Sequence, residues 1–202
     1  MKPLLLINGR PLFQHALDHA VTVWGADQCL AVVSPDNARH VLSVVSPGVC
    51  EHWILQPRPD GVIDALRRAL PLVRYDRVLI LCADNTFSSL EHTDVLLRST
   101  YAFFGVREIA MPDALRFTRY VSYDDGGVHL LEAGTHEMGQ GCWIGPLVLH
   151  TVQAREAIGT WPATVVDFIH AATHGGRDLQ PIPMRCADLG VPQELASVSP
   201  DR

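Results

Sequence analysis

Cysteine is scarce, and its spacing offers no pairs. Cys29, Cys50, Cys82, Cys142 and Cys186 include no C-x-x-C motif and are odd in number, which argues against a disulfide scaffold and for a reduced, cytoplasmic protein. No apolar run approaches the ~18 residues of a membrane span, and no signal-peptide pattern is present. Basic excess is lacking too: a formal charge of -6 argues against a surface that coats nucleic acid. A phosphate-bearing substrate would need a local basic patch. There is no internal repeat, low-complexity tract or long linker. What remains is 202 residues with 48% hydrophobic content, enough for one sizeable core, so one domain over residues 1–202 is the natural count.

The informative stretch runs from Trp53 to Phe87. A short apolar segment (Trp53, Ile54, Leu55) breaks at Gln56-Pro57-Arg58-Pro59-Asp60-Gly61, and apolar residues then recur at helical spacing through Val62, Ala65, Leu66, Ala69 and Leu70. An apolar strand, Val78 to Cys82, ends at Ala83-Asp84-Asn85. This strand, loop, helix, strand unit gathers polar groups where the chain leaves the strands, the edge at which open α/β sheets bind ligands. Upstream, Pro11 opens a helix with Leu12, Phe13, Ala16, Leu17 and Ala20 on one face. Cys29 to Ser34 reads as a strand, and Pro35-Asp36-Asn37 starts a helix to about Val45. The alternation predicts an α/β fold, a doubly wound and mostly parallel sheet with a small β-hairpin insertion.

QPRPDGVIDAL followed by LCADNTF resembles the sugar-1-phosphate nucleotidylyltransferases, and most the glucose-1-phosphate thymidylyltransferases, whose pattern is QPxPxGLAxA and then LGDNxF. Those enzymes join a sugar 1-phosphate to a nucleoside triphosphate and release pyrophosphate. The resemblance gives base reading to Gln56 and Gly61, magnesium to Asp84 and a sugar contact to Asn85. A side-chain amide can meet two hydrogen-bonding atoms of a base edge at once; a Gln that braces its own loop is the alternative. Asp60 and Asp64 are explained by the helix dipole, and a turn-capping Asp84 is the structural alternative for that residue.

At the front, Lys2-Pro3-Leu4-Leu5 and Asn8-Gly9-Arg10-Pro11-Leu12 resemble the family's KPLLPVxGKPL. Lys2 would then pair with substrate phosphate. The family's preceding strand and glycine-rich loop, GGxGTRLxPLT, are not in residues 1–202. Three readings stay open: a start placed too late, a non-catalytic relative, or a rebuilt site. In the last, Pro3 to Ile7 is the first strand and Asn8-Gly9-Arg10 a shortened phosphate loop.

Farther on, Leu90 to about Arg98 reads as a helix and Tyr101 to Ala110 as a strand. The hairpin Leu115–Tyr123 and Val128–Glu132 resembles the family's RYGVVEFD...G...LEEKP. Arg119 takes the place of a glycine that approaches the sugar, and Ala133 the place of a lysine; Glu132 can still accept from sugar hydroxyls. Gly141, in the strand Gly139 to Ile144, corresponds to a glycine lining the sugar pocket. A close-packed strand explains it as well. Thr151 to Ile158 and Thr164 to Thr173 read as helices, with His170 and His174 structural. The segment Ile182 to Leu195 is similar to the closing WxDxGTPExL motif, which makes Asp188 the second magnesium ligand.

The resemblance thus implies a nucleotidylyltransferase using Mg2+, a nucleoside triphosphate (dTTP or UTP) and a sugar 1-phosphate. Lys2 and Asp84 would be catalytic, Gln56, Gly61 and Arg10 nucleotide-binding, Asn85, Glu132 and Gly141 sugar-binding, and Asp84 and Asp188 metal-binding. No nucleic-acid or membrane partner is expected; a homo-oligomer is possible. The alternatives are a nucleotide-binding regulatory relative that lost the chemistry and, against the absence of a D-x-D triplet at Asp84, a glycosyltransferase.

Overall fold

Polar and Pro/Gly-rich breaks between apolar runs cut the chain into alternating strands and helices. The structure, a computed structural model, describes residues 6–7, 10–24, 28–45, 50, 52–58, 60–83, 85–87, 101–107, 114, 117–137, 139–183 and 186–188. In order these are β1 (Leu6–Ile7), β2 (Arg10–Pro11), α1 (Leu12–Trp24), β3 (Leu30–Val33), α2 (Pro35–Val44), β4 (His52–Leu55), α3 (Gly61–Ala69), β5 (Arg77–Ile80) and β6 (Asn85–Phe87). Then come β7 (Ala102–Arg107), β8 (Arg119–Ser122), β9 (Val128–Leu131), β10 (Gly141–His150), α4 (Thr151–Gly159), α5 (Val165–Ala172), β11 (Leu179–Pro183) and β12 (Cys186–Asp188). Local chemistry sets several boundaries. Pro35 stands in the first turn of α2 after an extended Ser34. A reciprocal capping box starts α5, with Asp167 N–H donating to Thr164 Oγ1 and Thr164 N–H to Asp167 Oδ2, both at 3.1 Å.

The mixed α/β architecture expected from the alternation is observed. β3 and β4 pair in parallel, Leu30 opposite His52 through Val33 opposite Leu55. A larger six-stranded sheet runs β11-β7-β10-β8-β9, with β5 also on β10. In it β11 lies parallel to β7 and the other pairings are antiparallel. Alternation along its strands gives the sheet two buried faces. Phe104, Val106, Leu147, Leu149, Val128 and Leu130 meet the apolar sides of α3, α4 and α5, while Phe103 and Val148 cluster with Leu79 and Ile182. Arg155 of α4 donates to the carbonyls of Leu70, Pro71 and Val73, satisfying the end of the 3-10 turn that follows α3.

Three sequence expectations are refined. Leu6–Ile7 do not join the parallel pair or the larger sheet; they pair antiparallel with Arg10–Pro11, a local closure that costs less chain entropy than insertion beside a distant strand. Pro3 to Leu5 lie outside the described residues, as does the predicted helix from Leu90. The strand predicted at Tyr101 to Ala110 is Ala102–Arg107. β10 continues past Gly145-Pro146 to His150 because its register with β7 shifts between Trp143 and Leu147, which absorbs a residue unable to donate to the ladder. Among the described residues no helix is long and apolar enough to cross a membrane.

Candidate functional site

The loop after β4 is held from two directions. Gln56 N–H donates to Val33 O at 2.8 Å, fixing the loop to the end of β3. Its buried side chain donates through Nε2 to Gly61 O at 3.0 Å and to Asp64 Oδ2 at 3.1 Å. Both amide hydrogens are therefore used inside the loop, and Oε1 is the atom through which Gln56 can meet a ligand. Gly61 has φ +84°, a conformation that an L side chain resists, although among the described residues an added Cβ would meet nothing within 4 Å. Asp64 also accepts from Arg68 at 2.8 and 3.3 Å. The Arg68 bond first, and the Gln56 bond second, hold its carboxyl below the usual range.

Asp64 is the residue that sequence reasoning underrated. An acid in a first helical turn is adequately explained by the dipole, and only a helix beginning at Gly61 turns that acid back toward Gln56. The start at a glycine after Pro57 and Pro59 was the available signal.

β6 and β12 pair antiparallel, with Asp188 opposite Asn85 and Cys186 opposite Phe87. Asp188 is thereby brought beside the residue that follows Asp84 in the chain. β6 leans on α1, and β12 on β10. Asp84 and Lys2 themselves lie outside the described residues. Arg10, on β2, is exposed and forms an ion pair with Asp18 of α1.

The hairpin and β10 form a third group. Gly141 is buried, and a Cβ there would stand 2.9 Å from Tyr120 Cε1; the ring that approaches this backbone within the protein is Tyr120. A Cβ at Gly139 would stand 2.6 Å from Arg119 Cβ. Arg119 is 2% exposed, so it does not stand at a solvent-facing pocket wall. Its Nη2 donates to Thr135 O at 2.7 Å and Thr135 Oγ1 at 2.6 Å, and its Nη1 to Ala114 O at 3.4 Å. Among the described residues Nε has no hydrogen-bond partner. Arg119 thus ties the segment after β9 to β8. Glu132 is exposed at the end of β9, where its carbonyl accepts from Thr135 Oγ1 at 3.0 Å. Of the sequence-predicted residues, the structure brings Gln56 to Gly61 and Asn85 to Asp188. No group of three or more His, Cys, Asp or Glu suited to a metal occurs among the described residues.

No protein-family model matches the chain, and no curated protein matches it in sequence. Solved structures match it in shape. A protein assigned as a glucose-1-phosphate thymidylyltransferase from Bacillus anthracis, in complex with a sucrose, superposes with TM-score 0.81 at 16% identity, over 98% of this chain and 84% of that one. A UDP-glucose pyrophosphorylase complexed with UDP-glucose gives TM-score 0.73 at 14% identity, over 98% and 88%. A UTP-bound UGPase from Acinetobacter baumannii gives 0.71 at 14%, over 98% and 84%. The chain is similar in fold to sugar-1-phosphate nucleotidyltransferases. At these identities the likeness establishes the fold and nothing finer.

Proposed function

We propose that the protein transfers a nucleotidyl group from a nucleoside triphosphate, dTTP or UTP, to a sugar 1-phosphate, releasing pyrophosphate. The observation that supports this reading is the β6–β12 register, which sets Asp188 opposite Asn85, the residue that follows Asp84 in the chain. Hard carboxylate oxygens from two residues suit Mg2+, which keeps several waters and takes its remaining ligands from substrate phosphates. Bound there, the ion would supply charge neutralisation at the phosphates. The chain's own residues would do the rest. Gln56 Oε1 accepts from a base edge that presents an N–H, as thymine and uracil both do, beside the side-chain-free Gly61. Lys2 offsets phosphate charge, and Arg10, itself exposed, does so once it exchanges its half-buried partner Asp18, an exchange that solvent screening at the guanidinium eases. Asn85 and Glu132 would contact the sugar, while Gly141 admits the Tyr120 ring. The sugar phosphate oxygen attacks the α-phosphorus in line, the bond to pyrophosphate breaks, and positioning with electrostatics suffices without a covalent intermediate.

The test is pyrophosphate release from dTTP or UTP with glucose 1-phosphate and magnesium. Asp84→Asn and Asp188→Asn should each lower the rate by about 100-fold or more while circular dichroism stays unchanged. Nucleotide binding without any release in the unaltered protein would defeat the transferase reading and leave a regulatory binder.

A further inference from the structure

The side-chain amide of Gln56 has a fixed sense. Its Nε2 lies 3.0 Å from Gly61 O and 3.1 Å from Asp64 Oδ2. A carbonyl and a carboxylate oxygen only accept, so the amide nitrogen, not the amide oxygen, is the atom that faces them. The terminal torsion of a glutamine is broad and two-fold, and the side chain alone does not hold that sense. Its two acceptors do: turned over, the amide would set Oε1 against both of them at once.

Asp64 is the stronger acceptor, because a hydrogen bond to an ionised group is roughly twice as strong as one between neutral groups. It is itself held. Arg68, one helical turn farther along α3, grips it with two nitrogens, Nε at 2.8 Å from the same Oδ2 and Nη2 at 3.3 Å from Oδ1. The two-point grip fixes the plane of the carboxylate and keeps Oδ2 aimed at Gln56. In the pattern QPxPxGLAxA the position of Asp64 is one of the unspecified ones, so the resemblance assigns it nothing.

We propose that Asp64, braced by Arg68, sets base specificity by holding Gln56 so that Oε1, an acceptor, meets the base. That arrangement admits uracil and thymine, whose pairing edge carries a proton on the ring nitrogen, and refuses cytosine, which carries a lone pair there. An acceptor set against an acceptor loses the bond and leaves both groups unpaired. Asp64 and Arg68 are positioning residues, acting on the base through Gln56. The inference rests on the proposed reading of Gln56 as the base contact.

The test is equilibrium binding of UTP and of CTP with magnesium, by titration calorimetry, without sugar 1-phosphate. The two share ribose and triphosphate, so their ratio reads the base alone. The unaltered protein should favour UTP by about tenfold or more. In Asp64→Ala the amide is tied to Gly61 O alone and is free to turn; CTP should then bind about tenfold tighter than it binds the unaltered protein, and UTP more weakly. Asp64→Asn, which keeps the shape and loses the charge, should act in the same direction. Arg68→Ala should shift the ratio by about threefold and add nothing in the Asp64→Ala background. Asp60→Ala, at an acid with no side-chain bond to the start of α3 among the described residues, should leave the ratio as it is. A loop that merely loses its shape weakens UTP without improving CTP. CTP binding that is unchanged or weaker in both Asp64 variants overturns the proposal, as do equal affinities in the unaltered protein. Base selection that responds to Asp64 in this way, with no pyrophosphate release on adding glucose 1-phosphate, upholds it and removes the transferase reading alone. Release without base selection removes this inference alone, and binding of neither nucleotide removes both.

Discussion

Gly61 offers a way to separate conformation from recognition. Its φ of +84° lies in the left-handed region, and among the described residues nothing lies within 4 Å of an added Cβ. An L side chain in this region costs roughly 1–2 kcal/mol. Gly61→Ala also removes freedom from the unfolded chain, worth about 0.4–1 kcal/mol in the other direction. The net loss should be about 1 kcal/mol. Asparagine tolerates the same backbone better, so Gly61→Asn should lose about half as much or less. Urea unfolding followed by far-UV circular dichroism reads both. Binding should rank differently if the base lies against this backbone. Any side chain then occludes the seat, and Asn, being larger, should weaken dTTP or UTP binding at least as much as Ala, by about tenfold, despite its better stability. Titration calorimetry would show the crossing of the two orders. If affinity simply follows stability, with Asn binding better than Ala, Gly61 serves the loop's shape alone and its base-reading role is refuted. If Ala is as stable as glycine, the left-handed conformation itself is wrong.

Gly176 makes a harsher case: φ is +89°, and a Cβ would stand 1.8 Å from Val128 O. Gly176→Ala should cost on the order of 3 kcal/mol from strain plus displacement of backbone, whereas Gly175→Ala, at φ +75° with open space, should cost about 1 kcal/mol; urea midpoints compare them. His170 predicts a pH response. Its Nε2 accepts from Leu130 N–H at 3.1 Å, and its ring lies 5.1 Å from that of His129. Burial, followed by the His129 charge, lowers its pKa below 6.5, against opposing pulls from Asp167 and Glu132. A lowered histidine stabilises the fold fully above 6.5 and loses that contribution as pH falls through the folded value. Melting temperature should therefore drop from neutral to mildly acid pH. His170→Gln, which can keep the acceptor, should flatten the drop, and an unchanged slope would exclude His170 as its source.

The parts legible in the sequence are those where one local rule acts at a time. Helical spacing from Val62 to Leu70 and the apolar run at Val78 gave α3 and β5 because nothing in those windows opposes the pattern. β11 escaped notice because Pro181 and Pro183 interrupt its donor row, a defect that only its place at the sheet's edge makes harmless. The far half of β10 was hidden in the same way by Gly145-Pro146. Arg119 was legible as a departure from the family's glycine. Its burial was not, since an arginine is ordinarily at the surface, and the Thr135 carbonyl and hydroxyl that accept from it come from a turn whose path follows from the whole hairpin.

The candidate site divides along the same line. The Gln56 loop is a motif of adjacent residues, and its hydrogen bonds close within eight positions of sequence, to Gly61 and Asp64. Local rules could therefore find it, and the fold then anchors it at both ends, through Val33 O and through α3. Asp188 comes beside Asn85 only because β12 returns to β6 across most of the chain. That pairing is three residues long, and by itself a short two-stranded pair is marginal in water. It is supported by α1 on one side and β10 on the other. The Gln56 loop thus rests on short-range contacts, while the strand that carries Asp188 rests on long-range packing, so the second is the part that composition and spacing could not disclose without a family resemblance to point at Asp188.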